Sequence, residues 1–149
     1  MSGVIDLAEL TTDIHRLVPI LAAMRVEVVE AERGSVAARL PAGPNVNHVG
    51  TSYAGSLFSV AEILGGLFAR TSLVMTGAVP IVKSVQIDFR RPATTDVVAR
   101  ATLDEEDITR VLAEARDRGK SDFVLEVEVT DEAGIVVATT RGVYQLRRL

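Results

Sequence analysis

Residues 51–72 have the sequence TSYAGSLFSVAEILGGLFARTS, which contains the longest apolar stretch of the chain, Leu57–Ala69. The pattern predicts a helix over Tyr53–Ser72. Because small or apolar side chains lie all round this helix rather than along one stripe, we expect it to be buried on most sides. Gly65 and Gly66 lie within it, where each costs about 1 kcal/mol relative to alanine. A sheet or a partner helix should therefore approach the backbone closely at this point.

Strand patterns lie on both sides of the predicted helix. Met24–Glu32 alternates apolar and polar residues, and Val36–Leu40 follows after a turn at Arg33-Gly34, which together predict a hairpin. The same alternation continues downstream, where the turn Asp131–Gly134 predicts a second hairpin. The downstream strands are predicted over Pro80–Arg91, Thr94–Leu103, Asp122–Thr130 and Ile135–Leu146.

Two further helices are predicted, of which the second is expected to be exposed. Residues 5–17 have apolar side chains at roughly helical spacing. Asp104–Arg118 has acidic residues in its first turn, basic residues in its last turn, and Gly119 as its stop. Strands outnumber helices and pair as neighbours, so the sheet should be mostly antiparallel. One buried helix against such a sheet is an α+β, two-layer arrangement.

The composition excludes several kinds of site. The chain has 149 residues, which predicts one domain over 1–149 with an N-terminal helical segment over 1–20. It contains no cysteine, which excludes disulfides, thiol nucleophiles and cysteine-based zinc sites. Its two histidines are too few for a three-histidine metal centre. The net charge of −4 does not suit a nucleic-acid partner, which normally requires a basic surface.

The apolar segments do not predict export or membrane insertion. The first 17 residues lack a basic segment followed by an apolar one, so no signal peptide is expected. Leu57–Ala69 contains Glu62 and is shorter than the ~20 residues that span a bilayer. We therefore expect a soluble, cytoplasmic protein with no membrane partner.

Glu62 is the anomalous residue of the apolar helix. Burial of an unpaired carboxylate is costly, so this side chain needs either a partner or a raised pKa. A carboxylate in such surroundings is a candidate general base or nucleophile. The alternative, an arginine ion pair or a capped structural acid, is equally open at this point.

The loop before the helix supplies a second candidate feature. Residues 47–52, Asn-His-Val-Gly-Thr-Ser, lead into a helix start, where free backbone N–H groups attract negative charge. If Ser52 or Tyr53 begins the helix, the N–H groups of Tyr53, Ala54 and Gly55 have the geometry of an oxyanion hole. Every helix has such a start, so this feature gains weight only together with Glu62.

The spacing of the two features predicts a shared site. Ala54 and Glu62 are eight residues apart, which is about 12 Å along a helix. A reacting atom must lie within ~3 Å of both the donor and the base. A two-fold dimer with antiparallel helices satisfies both conditions more easily than one protomer. We therefore expect a homodimer, with a dimer of dimers left open.

At this point the chain resembles the hot-dog fold thioesterases. The PaaI-like members contain Asn-x-x-Gly-x-x-His-Gly-Gly and an acid seven residues after the last glycine. Here Asn47, Gly50, Tyr53, Ala54 and Gly55 follow that spacing, with Glu62 also seven residues after Gly55. The acidic segment after Leu103 and the later Gly119-Lys120 look most like the YiiD C-terminal branch. The resemblance covers roughly residues 20–147 and implies an antiparallel sheet wrapped around a long central helix.

The resemblance also implies an activity and residue roles. The activity is metal-independent hydrolysis of an acyl thioester of coenzyme A or of an acyl-carrier protein, with no cofactor other than the coenzyme A of the substrate. Asn47 would orient the attacking water or the thioester, and the N–H groups of Ala54 and Gly55 would polarise its carbonyl. Glu62 of the partner chain would be the base or nucleophile. Candidate substrate contacts are Tyr53, His48 and Ser84 (on the same face as Val82). Coenzyme A phosphates could also bind Arg90, Arg91, Arg118 and Lys120, for which the alternative, favoured at this point, is simple solvation at the surface.

Two departures and two alternatives accompany this prediction. Tyr53 replaces the histidine and Ala54 replaces the first glycine of the motif, which changes the approach to the site but keeps its backbone donors. The spacing of His48 and Glu62 resembles the pair of hot-dog dehydratases and isomerases, although their intervening loop rich in glycine and proline is absent. A non-catalytic acyl-CoA-binding protein, with Glu62 structural, is the other alternative.

Overall fold

Six strands between residues 4 and 149 form one sheet in which every neighbouring pair is antiparallel. The computed structural model describes residues 4–149, so the first three residues of the predicted N-terminal segment lie outside it. The order across the sheet is β1-β2-β4-β5-β6-β3. The strands are β1 Glu27–Glu32, β2 Ser35–Leu40, β3 Ala78–Phe89, β4 Val97–Thr102, β5 Lys120–Thr130 and β6 Val136–Arg148. The predicted α+β class is confirmed.

Five α-helices and one short 3₁₀ helix, Gly43–Asn45, accompany the sheet in the described part of the chain. The predicted helix over Tyr53–Ser72 forms as two segments that meet at Ile63, whose ψ of −18° tightens the helical turn. Between residues 4 and 149, no helix combines the length and the apolar character that crossing a bilayer requires. The helices are α1 Leu7–Leu17, α2 Ile20–Ala23, α3 Ala54–Glu62, α4 Leu64–Thr71 and α5 Glu105–Arg118.

The core lies between α3, α4 and α5 and one face of the sheet. β5 shows this most clearly, because its residues alternate strictly between buried and exposed from Lys120 to Val129. Phe123, Leu125 and Val127 point into the core, whereas Glu126 and Glu128 lie on a face of the sheet that is exposed along this strand. We call this the outer face, and the opposite one the helix face.

A bulge in β3 changes the face on which its side chains lie. Val82 pairs with Tyr144 of β6, and Ser84 pairs with the next residue, Val143, so that Lys83 is the extra residue. Cross-strand partners share a face, so Val82 lies on the helix face with Tyr144 and Ser84 lies on the outer face. The expectation that Val82 and Ser84 share one face is therefore wrong. A regular alternation cannot reveal an inserted residue.

The two edges of the sheet have different surroundings. At the β1 edge, Thr11 Oγ of α1 accepts from the backbone N–H of Val28 at 3.0 Å. His15 Nε2, one turn later, lies 2.6 Å from the carbonyl oxygen of Val26. At the other edge, β3 pairs with β6 and with no further strand of the described residues. Val82 and Phe89 of β3 remain 41% and 52% exposed.

Candidate active site

The start of α3 carries two backbone N–H groups without an acceptor. Tyr53, the residue before the helix, donates its own N–H to the carbonyl of Asn45 at 2.7 Å. The predicted set of three donors is therefore reduced by one. The N–H groups of Ala54 and Gly55 find no acceptor among residues 4–149, since the first helical bonds are those of Ser56 and Leu57 to the Tyr53 carbonyl. These two donors can bind an anionic oxygen.

The ring of Tyr53 lies against the first turn of α3. A Cβ added at Gly55 would come within 2.6 Å of ring carbon Cε2. The ring itself is largely exposed, with 56% of the residue accessible. Tyr53 thus lies beside the two free donors, and glycine at position 55 leaves the space that its ring occupies.

Asn47 organises the loop that leads to this helix start. Its Oδ1 accepts from the N–H groups of Val49 and Thr51 at 3.0 and 3.1 Å. Its Nδ2 donates to Thr51 Oγ at 2.9 Å and lies 3.4 Å from the carbonyl oxygen of Ser52. Both ends of the amide are thus engaged within the loop, so in this conformation Asn47 shapes the loop. His48, its neighbour, is exposed.

A further contact attaches the loop to the end of β3. The N–H of Ser52 donates to the carbonyl of Ala93 at 2.9 Å. Since Phe89 is the last residue of β3, the start of α3 lies near that end of the strand. Arg90 and Arg91 follow Phe89, and both donate their backbone N–H groups to the carbonyl of Val137.

Glu62 lies at the other end of α3, partly buried and with a raised pKa. Burial of the carboxyl group, which disfavours its charged form, is the cause of the higher pKa. Among residues 4–149, no side chain forms a salt bridge or hydrogen bond with this carboxylate. The arginine ion pair considered as an alternative is therefore absent from the described residues.

One stripe of α3 remains open to the surroundings. Ser56, Leu57, Val60 and Ala61 are buried against the sheet. The residues on the opposite side are exposed or partly exposed, which is less burial than the all-round apolar pattern predicts. They lie at helical spacing and comprise Ala54, Gly55, Phe58, Ser59 and Glu62.

Tyr144 of β6 contacts α3 and α4 from the sheet. Its hydroxyl donates to the backbone carbonyl of Glu62 at 3.2 Å. A Cβ at Gly65 would lie 2.3 Å from the ring, so glycine is required there for the ring to approach. The predicted close approach of a sheet at Gly65 is thus confirmed, whereas Gly66 meets nothing nearer than Ile63 at 3.7 Å. The sequence analysis did not identify Tyr144, although Gly142-x-Tyr144 in a strand is a signal of close packing.

The remaining candidate residues do not lie together. Ser84 lies on the outer face, on the opposite side of the sheet from Glu62. Lys120 pairs with Arg147 of β6, whereas Arg90 bonds to Val137 of the same strand. Val137 and Arg147 are ten residues apart along β6, which is roughly 33 Å. One protomer therefore presents Arg90 and Arg91 at one end of the sheet, and Arg118 and Lys120 at the other.

Known structures share this arrangement of helices and strands. A protein of unknown function from Pseudomonas aeruginosa, described as a "Probable Thioesterase", is 39% identical and aligns over 94% of this chain and 95% of that chain with a TM-score of 0.85. A thioesterase from Haemophilus influenzae is 17% identical over 99% of this chain and 94% of that chain, with a TM-score of 0.76. A mutant thioesterase from P. aeruginosa is 15% identical over 99% of this chain and 98% of that chain, with a TM-score of 0.77.

These likenesses confirm the resemblance to hot-dog fold thioesterases that the loop-and-helix motif predicts. At 15% and 17% identity the likeness shows the fold alone. No curated protein matches the chain. The model of the family described as "Domain of unknown function (DUF4442)" matches residues 9–145, which is most of the sequence. The chain is thus a member of the DUF4442 family.

Proposed function

We propose that this protein hydrolyses acyl thioesters, of coenzyme A or of an acyl-carrier protein, without a metal. The observation that carries the proposal is Glu62, a partly buried carboxylate with a raised pKa on the open stripe of the same helix whose start has two free N–H donors. The 39% identical protein described as a "Probable Thioesterase" supports it. In this proposal α3 and α4 act as the central helix of a hot-dog fold, around which the sheet wraps.

The reaction needs a base and an oxyanion site, and both types of group are present. Glu62 as general base takes a proton from water while the water oxygen bonds to the thioester carbonyl carbon. The carbonyl oxygen becomes negative, and the N–H groups of Ala54 and Gly55 stabilise it. The carbon–sulfur bond then breaks as the negative oxygen re-forms the carbonyl, and protonated Glu62 returns its proton to the departing thiolate. As a nucleophile, Glu62 would instead attack the carbonyl carbon and expel the thiolate, which forms an anhydride. Water would then hydrolyse the anhydride to the free acid and regenerate Glu62.

These groups are too far apart to act on one carbonyl within one protomer. Eight residues separate Ala54 from Glu62, or about 12 Å of helix. We therefore propose that the site is completed by a second copy of the chain. The exposed α3 stripe and the uncovered β3 edge are adjacent apolar surfaces on which that copy can pack, with Phe58, Val82 and Phe89 partly exposed.

The proposed dimer brings opposite ends of the helices together. Glu62 lies near Val82 along the length of β3, because Tyr144 pairs with Val82 and its hydroxyl donates to the Glu62 carbonyl. The start of α3 lies near the far end of β3, beyond Phe89. If two β3 strands pair antiparallel about an axis near their middle, Val82 of one protomer faces Phe89 of the other. Glu62 of one protomer then lies beside the helix start of the other.

The same symmetry would also unite the separated cations. Arg90 and Arg91 of one protomer would lie at the same end of the dimer as Arg118 and Lys120 of the other. These side chains are candidate contacts for the phosphates of coenzyme A, because arginine and lysine bind phosphate through charge-assisted hydrogen bonds.

The test is a hydrolysis assay on a panel of acyl-CoA substrates. We expect Glu62→Gln to lower kcat/KM by about a hundredfold to ten-thousandfold, the range for loss of a general base. Asn47→Ala should also lower it, because the loop that presents the Ala54 donor loses four hydrogen bonds. His48→Ala should have little effect.

Three outcomes would contradict the proposal. Loss of activity on His48→Ala, with turnover of a 3-hydroxyacyl substrate, would indicate a dehydratase. Binding of acyl-CoA without turnover would indicate a binding protein. Full activity of Glu62→Gln would exclude this carboxylate as the base or nucleophile.

A further inference from the structure

The ring of Tyr144 occupies a slot that two glycines leave open. Tyr144 is only 2% exposed and stacks on Phe123 of β5 with a centroid distance of 5.6 Å and an interplanar angle of 20°. A Cβ at Gly65 would lie 2.3 Å from ring carbons Cδ1 and Cε1, and one at Gly142 would lie 2.7 Å from Cε2. Real Cβ atoms do not approach this closely. Glycine in α4 and glycine in β6 are therefore both needed for this ring position.

The hydroxyl of the ring reaches the backbone of the proposed base. It donates to the carbonyl oxygen of Glu62 at 3.2 Å. That carbonyl lies at the last residue of α3, directly before the tighter turn at Ile63. The Glu62 carboxylate acts on the same ring, since burial and then the negative charge of Glu62 raise the pKa of Tyr144. The phenol therefore stays protonated and remains a donor.

We propose that Tyr144 is a positioning residue for Glu62, and that Gly65 and Gly142 serve to admit its ring. The hydroxyl ties the end of α3 to β6, and the stacked ring sets how far that end lies above the sheet. The Glu62 carboxylate is thereby held at a fixed distance from the sheet, on the open stripe of the helix. This inference rests on the proposed function, because positioning matters only if Glu62 takes part in the reaction.

Position affects rate strongly in such sites. A displacement of about 1 Å in a reacting group can cost up to a hundredfold in rate. Tyr144→Phe removes the hydroxyl and keeps the ring, so the slot stays filled. We expect kcat to fall about tenfold while KM changes less than twofold, with the protein still folded.

Two adjacent glycines give a matched pair of variants. Gly65→Ala places a Cβ against the ring, so we expect the ring to shift and kcat to fall at least as far as in Tyr144→Phe. Gly66→Ala meets only Ile63 Cδ1 at 3.7 Å, an ordinary contact. It should favour the helix slightly and leave kcat unchanged. If Gly65→Ala does not fold, Tyr144→Phe still decides the question.

A double-mutant cycle separates positioning from general stability. If Tyr144 acts through Glu62, Tyr144→Phe should have no further effect on kcat in the Glu62→Gln background. An equal loss in both backgrounds would mean that Tyr144 acts on the fold as a whole, and the inference would be overturned. Wild-type kcat in Tyr144→Phe would overturn it while the proposed function stands.

An NMR measurement tests the position of Glu62 even if the protein shows no hydrolysis. The carboxyl carbon of Glu62, observed by ¹³C NMR and assigned with Glu62→Gln, should shift in Tyr144→Phe and Gly65→Ala but not in Gly66→Ala. If wild-type protein hydrolyses no acyl thioester, of coenzyme A or of an acyl-carrier protein, the proposed function fails. A shifted resonance would then support only that Tyr144 positions the Glu62 carboxylate. An unshifted resonance would contradict that positioning too.

Discussion

The two edge strands of the sheet differ in how their outer backbone groups are satisfied. At β1, the amphipathic helix α1 lies along the edge, and Thr11 and His15 bond to the N–H of Val28 and the carbonyl of Val26. These residues are four apart in α1 and so lie on one side of it. The other edge strand, β3, is twice as long and has no such helix along it in the part of the chain that the structure describes. Its residues Ile81, Val82 and Phe89 are partly exposed.

This difference indicates which edge is available for association. An uncovered edge offers unpaired N–H and carbonyl groups to another strand, and proteins normally cover or charge such edges. Here one edge is covered by the protein's own helix, and the other combines apolar side chains with the open stripe of α3. The β3 edge is thus the one that we propose for the second copy.

The largest effect is expected from a charge on the open edge. Val82→Lys would place an ammonium group in the proposed interface, and we expect a monomer. Hydrolysis should fall about a thousandfold or more, because the donors of one protomer would lose the base of the other. Analytical ultracentrifugation and kcat/KM check both results.

Val124→Lys is the matched control for this variant. Val124 is 42% exposed, as Val82 is 41% exposed, but it lies on the outer face of β5. We expect a dimer with normal kcat/KM, even if a dimer of dimers formed through the outer face dissociates. A Val82→Lys protein that remains dimeric and active would place the second copy elsewhere.

A moderate effect is expected at the covered edge. Thr11→Val keeps the shape of the side chain but leaves the N–H of Val28 without its acceptor, which costs about 1–3 kcal/mol. Denaturant unfolding should show this loss, and hydrogen exchange should quicken at the Val28 amide. Thr12→Val is the control, since Thr12 is exposed and bonds only to Ala8 of its own helix at 3.1 Å. Equal exchange at Val28 in both variants would disprove the role of Thr11.

The smallest effect is a pH-dependent change in stability at Glu62. Its pKa in the folded protein is raised above the ordinary value of 4.5, so the folded state binds the proton more tightly than the unfolded state. Stability is therefore lost as the pH rises through the raised pKa. We expect Glu62→Gln to melt slightly higher than wild type at pH 7, with the difference vanishing below about pH 4. A difference that is independent of pH would mean that burial of the charge is not its cause.

The parts of the fold that were predictable depend on neighbours close in sequence. The α5 prediction is confirmed together with its stop, because the helix ends at Gly119, which adopts a φ of 84°. The structure adds that Asp104 caps the helix by accepting from the N–H of Asp107. The hairpin of β1 and β2 and that of β5 and β6 follow from alternation and turn residues. The bulge at Lys83 and the change of helix at Ile63 were not predictable, since each depends on the strand or helix packed beside it.

The candidate site divides in the same way. The isolation of Glu62 in an apolar helix follows from local sequence, and so does the spacing from Asn47 to Glu62. The engagement of Asn47 within its own loop does not, because a side-chain amide has several acceptors and donors within reach until the loop closes. Tyr144 was missed because its partners Glu62 and Gly65 lie far from it in the chain.

The amino-acid sequence alone determined the alternating strands, the apolar helix and the one acid within it, because periodicity and burial cost act over a few residues. The tertiary structure decided which sheet edge α1 covers, which face Ser84 occupies and which glycine admits the Tyr144 ring. These depend on contacts between segments distant in the chain. Their free energies are set by packing that no local pattern encodes.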